Sequence, residues 1–296
     1  MKPGIYYGMS FEEYRRIDAI NASAIKEGLT SMKHMRAYLS GDGKKDTPDM
    51  AFGRAAHCAI LEPERFASEY LTSTQCQAKK KDGNQCGNSG RYRSPEGKWY
   101  CGTTGHAPSG SDEPGQYLTQ TDYASITNLI AELGEIDLLK YLRNDSRQEV
   151  VVVAEFHGFK IKCRLDALSG DRLVIPDFKK VQRGKSDIES FRKTATSFRY
   201  HIQAFLYSHA IAQHTGAMPR FLFIFGEDST PNCVNATWAD EDDIRIGRKD
   251  CIRVLDDWRR CESEGKYNGT FLGTIQHGCL TGWYKDQADE VIFDDE

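Results

Sequence analysis

The sequence contains no run of about 18 apolar residues, which argues against a membrane-spanning helix and leaves a membrane partner unexpected. Residues Met1 to Ser10 lack a basic stretch followed by an apolar core, so a secretory leader is not expected and a reducing, cytoplasmic setting is. In that setting the nine cysteines are expected as thiols or metal ligands, not disulfides. An excess of positive charge is also missing. The 39 Lys and Arg stand against 43 Asp and Glu, a formal −4. Six of the acids lie between Asp286 and the C-terminus, where there is no Lys or Arg, and the remainder carries +2. An acidic tail can coexist with a locally basic channel, so charge neither supports nor excludes a nucleic-acid substrate. With 39% apolar and 28% charged residues, fibrous and disordered classes fall away, and 296 residues suffice for one large domain or two modest ones.

What is present begins with residues 1 to 45, which read as short helices. Ser10-Phe-Glu-Glu13 is a capping-box pattern and Asn21 opens another helix. From Asp49 to Leu61, apolar and small residues recur at helical spacing, and Pro63 ends that helix. Helices are expected at 120 to 133 and 136 to 143. The β-branched run at 148 to 157 reads as a strand, Gly158 as a turn, and 159 to 168 as the returning strand. A further turn at Asp171 and a strand at 172 to 181 complete a three-stranded meander. Helices at 187 to 195 and 198 to 214, strands at 220 to 226 and 232 to 238, and a long charged helix from Asp240 to Gly265 follow.

The chemistry concentrates in a few places. Asp166 ends one strand, and Asp177 and Lys179 end the next. Being two apart, Asp177 and Lys179 project from the same strand face. Two carboxylates suit Mg²⁺ (or Mn²⁺), which also binds phosphate, and a lysine beside them can orient water or stabilise developing charge. An ordinary exposed hairpin carries the same residue types, so the short motif is weak alone. His57 sits on the helix of small residues, where it reads either as a core histidine or as a further metal ligand. Gln203 and Tyr207 are four apart and share a helix face, either as a polar edge or as groups that contact the site.

Taken in order, His57, Asp166, Asp177-x-Lys179 and Gln203-x-x-x-Tyr207 resemble the PD-(D/E)xK nuclease superfamily, its RecB-like branch, and within it the exodeoxyribonuclease VIII (RecE-type) phage and prophage exonucleases. Gly4-Ile5-Tyr6-Tyr7, the stretch from Gly53 through His57 to Phe66, and Tyr200-His201-x-Gln203 extend the likeness. The resemblance implies an α/β chain of the α+β restriction-endonuclease-like type, with a central mixed β-sheet flanked by helices. It implies metal binding by His57, Asp166 and Asp177, with Glu149 as a further acid and Glu155 as a weaker candidate. Lys179 would assist the attacking water, and Gln203 and Tyr207 would position the site or the DNA. Ser23, Lys26, Arg36 and Arg54 would be 5′-phosphate contacts. Pro176 is incidental, because the first acid of the motif is Asp166. The implied activity is Mg²⁺-dependent digestion of linear double-stranded DNA from the 5′ end, exposing a 3′ single strand for a recombinase or annealing partner. A ring-shaped homo-oligomer and a phage or prophage gene in a bacterial host are implied too. An endonuclease of the same superfamily and a catalytically inactive zinc-bearing adaptor are the alternatives.

Residues 73 to 115 are rich in Gly, Ser, Lys and Cys and poor in aliphatic side chains, so they read as an insertion with little core. Cys76, Cys86, Cys101 and His106 form C-x9-C-x14-C-x4-H, resembling small Cys3His zinc modules. Free thiols in a loop are the alternative, and an iron–sulfur cluster lacks its usual closely spaced cysteines. Between Cys76 and His106, six basic residues against Asp82 and Glu96 suit phosphate contact or a solvated loop, and Trp99 and Tyr100 are candidates for stacking on bases. The expected organisation is an exonuclease domain from 1–72 and 116–280, the insertion at 73–115, and an acidic tail at 281–296.

Overall fold

The computed structural model describes residues 1–41, 47–72, 75–88, 90, 92–103, 105–106, 117–144 and 146–270. The expected acidic tail, and Arg91 of the basic insertion, lie outside the described residues. The chain begins with β1 (Gly4–Tyr6), α1 (Phe11–Arg16), α2 (Ala22–Gly28), α3 (Met32–Leu39), α4 (Pro48–Leu61) and α5 (Pro63–Glu69). Short strands β2 (Leu71–Thr72), β3 (Tyr92–Arg93), β4 (Trp99–Tyr100) and β5 (Tyr117–Leu118) follow. Then come α6 (Gln120–Glu135), α7 (Leu139–Leu142), β6 (Ser146–Phe156), β7 (Phe159–Ser169), β8 (Val174–Val181), α8 (Ile188–Ser197), α9 (Tyr200–Thr215), β9 (Arg220–Glu227), β10 (Val234–Trp238) and α10 (Glu241–Glu264).

The helices start where polar side chains can take the first free N–H groups. Ser10 and Glu13 form the capping box of α1, Asn21 accepts from Ala24 N at 2.9 Å to open α2, and Thr47 caps α4. Asp240 and Asp243 form a second capping box on α10, which ends at Gly265 in the left-handed region. Two N-terminal expectations need correction. Gly4–Tyr6 is not helical but an edge strand, paired antiparallel with Val151–Val153. Pro63 does more than end α4. It starts α5, because a proline at the first helical position loses no intrahelical hydrogen bond.

The β6–β7 hairpin turns through His157 and Gly158, both at positive φ (52° and 80°), the geometry that a two-residue hairpin loop requires. The expected meander stops there. β8 does not join β7 in a ladder; it pairs parallel with β9, which pairs antiparallel with β10. The sheet is therefore mixed and forms two hydrogen-bonded halves, β1-β6-β7 and β10-β9-β8. The turn at Ser169–Leu173, where Asp171 accepts from Leu173 N at 2.9 Å, brings β8 alongside β7 without pairing it. Half-buried Asp166 at this junction accounts for the gap in part: its Oδ2, not a strand carbonyl, accepts the Phe178 N–H at 2.8 Å.

Alternation along the strands feeds cores on both sides. Val150, Val152, Phe221, Phe223 and Phe225 face α2, α3, α9 and α10. Phe178, Leu222 and Ile224 face α4, α6 and α7. Lys162, buried on β7, donates to the Ile17 carbonyl at 2.6 Å and to those of Tyr14 and Arg15, fixing the end of α1 on the sheet. The α/β architecture of helices around a mixed sheet matches the expected class. No helix among the described residues is long and apolar enough to cross a membrane.

Candidate nuclease centre and a cysteine–histidine cluster

The seam between the two half-sheets gathers the expected site residues. Asp177 is buried on β8, and Lys179 from the same strand face forms a close ion pair with its Oδ2. Gln203, one turn into α9, donates to Asp177 Oδ1 at 2.5 Å. His57 Nδ1 on α4 lies 3.5 Å from Asp166 Oδ2, and its ring meets Phe178 edge-on at 5.3 Å. The small buried residues Ala55, Ala56 and Ala59 let α4 approach closely enough for that contact. Lys180 ties Asp49 at the start of the same helix to Asp228 beyond β9.

Glu149 is opposite Asp166 in the β6–β7 register, since Gln148 pairs with Ala167 and Val150 with Leu165. The ladder is interrupted there because Glu149 is left-handed, with φ 52°. A non-glycine residue in that region is strained and persists only when its surroundings impose it. Here Arg164 Nε meets Glu149 Oε2 at 2.8 Å. Glu155, the weaker candidate, instead pairs with Lys160 near the hairpin turn, six residues along β6 from Glu149, and is exposed.

Burial sets the protonation of the centre. It pushes Asp177 up to about 6, against the opposing pull of Lys179. Asp166 is raised by the same desolvation, and Glu149 reaches about 7 despite Arg164. Lys179 loses by burial but gains more from Asp177 and Asp166, so its ammonium is favoured. His57 is lowered to about 4 by desolvation and by Lys179, which leaves a neutral imidazole free to ligate. Tyr207 is buried one turn beyond Gln203, with its ring tilted against Phe221 at 6.3 Å, and desolvation drives its hydroxyl pKa well up.

A divalent cation fits this donor set. Asp177 Oδ2 is buried against the Lys179 ammonium, and beside it stand hard carboxylate oxygens and a neutral imidazole. Of the four expected phosphate contacts, Lys26 reaches the centre: its Nζ lies 5.1 Å from the centroid of Tyr200, whose ring has Lys179 Nζ at 5.0 Å. Burial and Lys179 together lower Lys26 to about 7. Arg36 stacks on Tyr267 at 4.4 Å, and Ser23 and Arg54 are exposed. Sequence reasoning gave no site role to two participants. Arg164 lies two residues before Asp166, a spacing that places both on one strand face. Tyr200 lies three before Gln203, neighbouring it on α9.

The insertion begins and ends at one place, because Leu71–Thr72 pairs parallel with Tyr117–Leu118. Within it β3 and β4 form a small ribbon. The ligand atoms of Cys76, Cys86, Cys101 and His106 lie within 4.8 Å of one another. Cys86 and Cys101 sulfurs are 3.8 Å apart, and His106 Nδ1 is 3.8 Å from Cys76 Sγ and 3.2 Å from Cys101 Sγ. Tetrahedral zinc with bonds of about 2.3 Å to sulfur and about 2.0 Å to nitrogen spaces its ligands about 3.5–3.8 Å apart. Cys101 is lowered to about 5: burial opposes the thiolate, but Thr103, His106 and Asn88 stabilise it. Trp99 is buried, so it supports the ribbon and is not available to stack on bases as expected, while Tyr100 is half-buried. Lys79, Lys80, Lys81, Arg93 and Lys98 are all exposed.

Comparison with known proteins agrees with the fold. A family model described as a PDDEXK-like domain of unknown function matches residues 21–268. No curated protein matches. Among solved structures, a protein described as a candidate exonuclease from Eubacterium rectale is similar at a TM-score of 0.61 and 11% identity, over 98% of this chain and 100% of that one. At that identity the likeness concerns the fold. A phage-related exonuclease from Haemophilus somnus 129PT aligns over 48% of this chain and 74% of its own, at 16% identity and a TM-score of 0.33, too low to carry weight.

Proposed function

Because this chain belongs to the PDDEXK-like family, we propose that it is a divalent-metal-dependent exodeoxyribonuclease acting on linear double-stranded DNA. The observation that carries the reading is the buried Asp177, its two oxygens held by Lys179 and Gln203, beside Asp166 and the imidazole of His57. Asp166, Asp177, Glu149 and His57 would hold Mg²⁺ or Mn²⁺. When bound, the cation supplies a more acidic water and offsets charge on the phosphate. Lys179 orients the attacking water and stabilises the anionic phosphorane. The attacking water loses a proton to solvent as its oxygen bonds to phosphorus, the bond to the 3′ oxygen breaks, and that leaving oxygen takes up a proton from solvent water. Gln203 holds Asp177 against rotation, and Arg164 does the same for Glu149. Lys26, resting on an aromatic face, takes a neighbouring phosphate, whose negative charge favours its ammonium form.

The finer reading follows the exodeoxyribonuclease VIII resemblance: digestion from the 5′ end, a 3′ single strand passed to a recombinase or annealing protein, and a ring-shaped homo-oligomer for processivity. Residues 73–115 are read as a zinc-binding module, with Cys76, Cys86, Cys101 and His106 as ligands, inserted into an exonuclease domain of 1–72 and 116–280. The experiment compares linear duplex with closed circular duplex in Mg²⁺, using the wild type and Asp177→Ala. Nucleotide release from linear DNA alone is expected, with the variant at least about 100-fold slower. Cleavage of the circle would indicate an endonuclease, and equal rates for the two proteins would overturn the assigned centre.

A further inference from the structure

The corner between α8 and α9 borders the nuclease centre without holding any of its acids. Phe198, at this corner, is 61% exposed, more than any other large apolar side chain among the described residues. A single exposed aromatic is ordinary on a protein surface. Three observations make this one different. The ring stacks on Tyr200, with centroids 5.8 Å apart and planes at 16°. Tyr200 in turn has Lys26 and Lys179 within about 5 Å of its centroid, so two rings lead from solvent to the lysine paired with Asp177. The neighbouring chain is basic next to the ring: Arg192, Lys193 and Arg199 lie within six residues of it, although Lys193 is 3.7 Å from Glu189 on the preceding turn.

The corner is also held in place. Arg199 is left-handed, with φ 55°, and its guanidinium donates to the Lys26 carbonyl and to Thr30 Oγ1 at 3.1 Å. That strained backbone persists because contacts to α2 impose it. The same contacts fix Phe198 relative to Lys26.

We propose that Phe198 is a nucleobase platform, on which an unpaired base beside the scissile phosphate stacks. The site would then engage a single strand or a frayed duplex end in preference to intact duplex. This rests on the nuclease reading of the centre. An aromatic face stacks with any base, and a basic rim follows the backbone without reading sequence. The lysines behind Tyr200 favour a nucleotide over a protein partner, because a phosphodiester strand presents a base and a phosphate one sugar apart.

The test is a fluorescence titration of full-length protein with a duplex bearing an unpaired terminal 2-aminopurine, in EDTA and again in Ca²⁺. Wild type is expected to quench the fluorophore, and Phe198→Trp to preserve the effect. Phe198→Ala should lose the quenching and bind the overhang about 5- to 150-fold more weakly. Tyr123→Ala, removing another exposed aromatic on α6, should behave as wild type. Quenching and affinity unchanged in Phe198→Ala would overturn the platform and leave the nuclease reading standing. A wild type that binds neither duplex nor overhang in either buffer would overturn both.

Discussion

At the scale of single residues, the centre is an acid pair kept in unfavourable surroundings. Asp177 is raised to about 6 and Glu149 to about 7, both through desolvation. Each has a folded pKa above its unfolded one, so each takes up protons on folding and destabilises the cation-free protein increasingly as pH rises through that window. A divalent cation needs the ionised forms and reverses the penalty by mass action. The rise in melting temperature given by Mn²⁺ should therefore grow as pH is raised from about 5 to about 7, and be small in Asp177→Ala. Differential scanning fluorimetry across that range checks it, and a shift independent of pH would contradict the assignment. Most of the centre was legible at this scale because its residues keep a fixed chain order and a period of two or four. Glu149 was harder to place. Its role depends on a left-handed backbone and on Arg164, neither of which leaves a periodic trace.

Elements were legible wherever a cap or a turn residue marks their ends, as at Ser10, Asn21, Gly158 and Asp240. Strand pairing was not, because β-branched runs announce a strand without naming its neighbour. That is why β8 reads as the third strand of a meander when it pairs with β9. Helix crossings are equally silent, except where a glycine stands between two backbones. A Cβ on Gly247 of α10 would lie 2.3 Å from the His201 carbonyl oxygen and 2.8 Å from Phe205 Cβ. Both belong to α9, the helix that carries Gln203 to Asp177. Gly247→Ala is expected to push the helices apart, at about 1–3 kcal/mol, and to lower the melting temperature by at least about 2 °C. It should also slow hydrolysis, although residue 247 touches nothing in the centre. A separate expectation concerns the insertion, whose ligands are spaced as zinc would space them. Wild type should contain one equivalent of zinc by elemental analysis and Cys86→Ser much less. Limited proteolysis of that variant should open within 73–115 before the sheet is attacked. Equal zinc in both proteins would remove Cys86 from the ligand set.

For the whole molecule, the decisive feature is that the sheet is two half-sheets meeting at the centre. Each half has its own hydrogen bonds, while the helices span both, α2, α3, α9 and α10 packing one face and α4, α6 and α7 the other. Across the seam the acid on β7 takes the Phe178 N–H of β8, so one side chain does the work of a ladder. Such a seam places Asp166 and Asp177 on separate strands whose spacing can adjust, whereas a continuous ladder would lock them. A cation shared by the two acids would bind the halves together. Hydrogen exchange is expected to slow on Mn²⁺ addition at residues 164–168 and 176–180, which flank the seam, more than along α10, which packs against α9 away from it. The effect should vanish in Asp177→Ala while α10 stays as protected as in wild type. Uniform slowing over the chain would mean that the cation stabilises the fold globally, and the seam would then be an ordinary sheet irregularity with no part in holding metal.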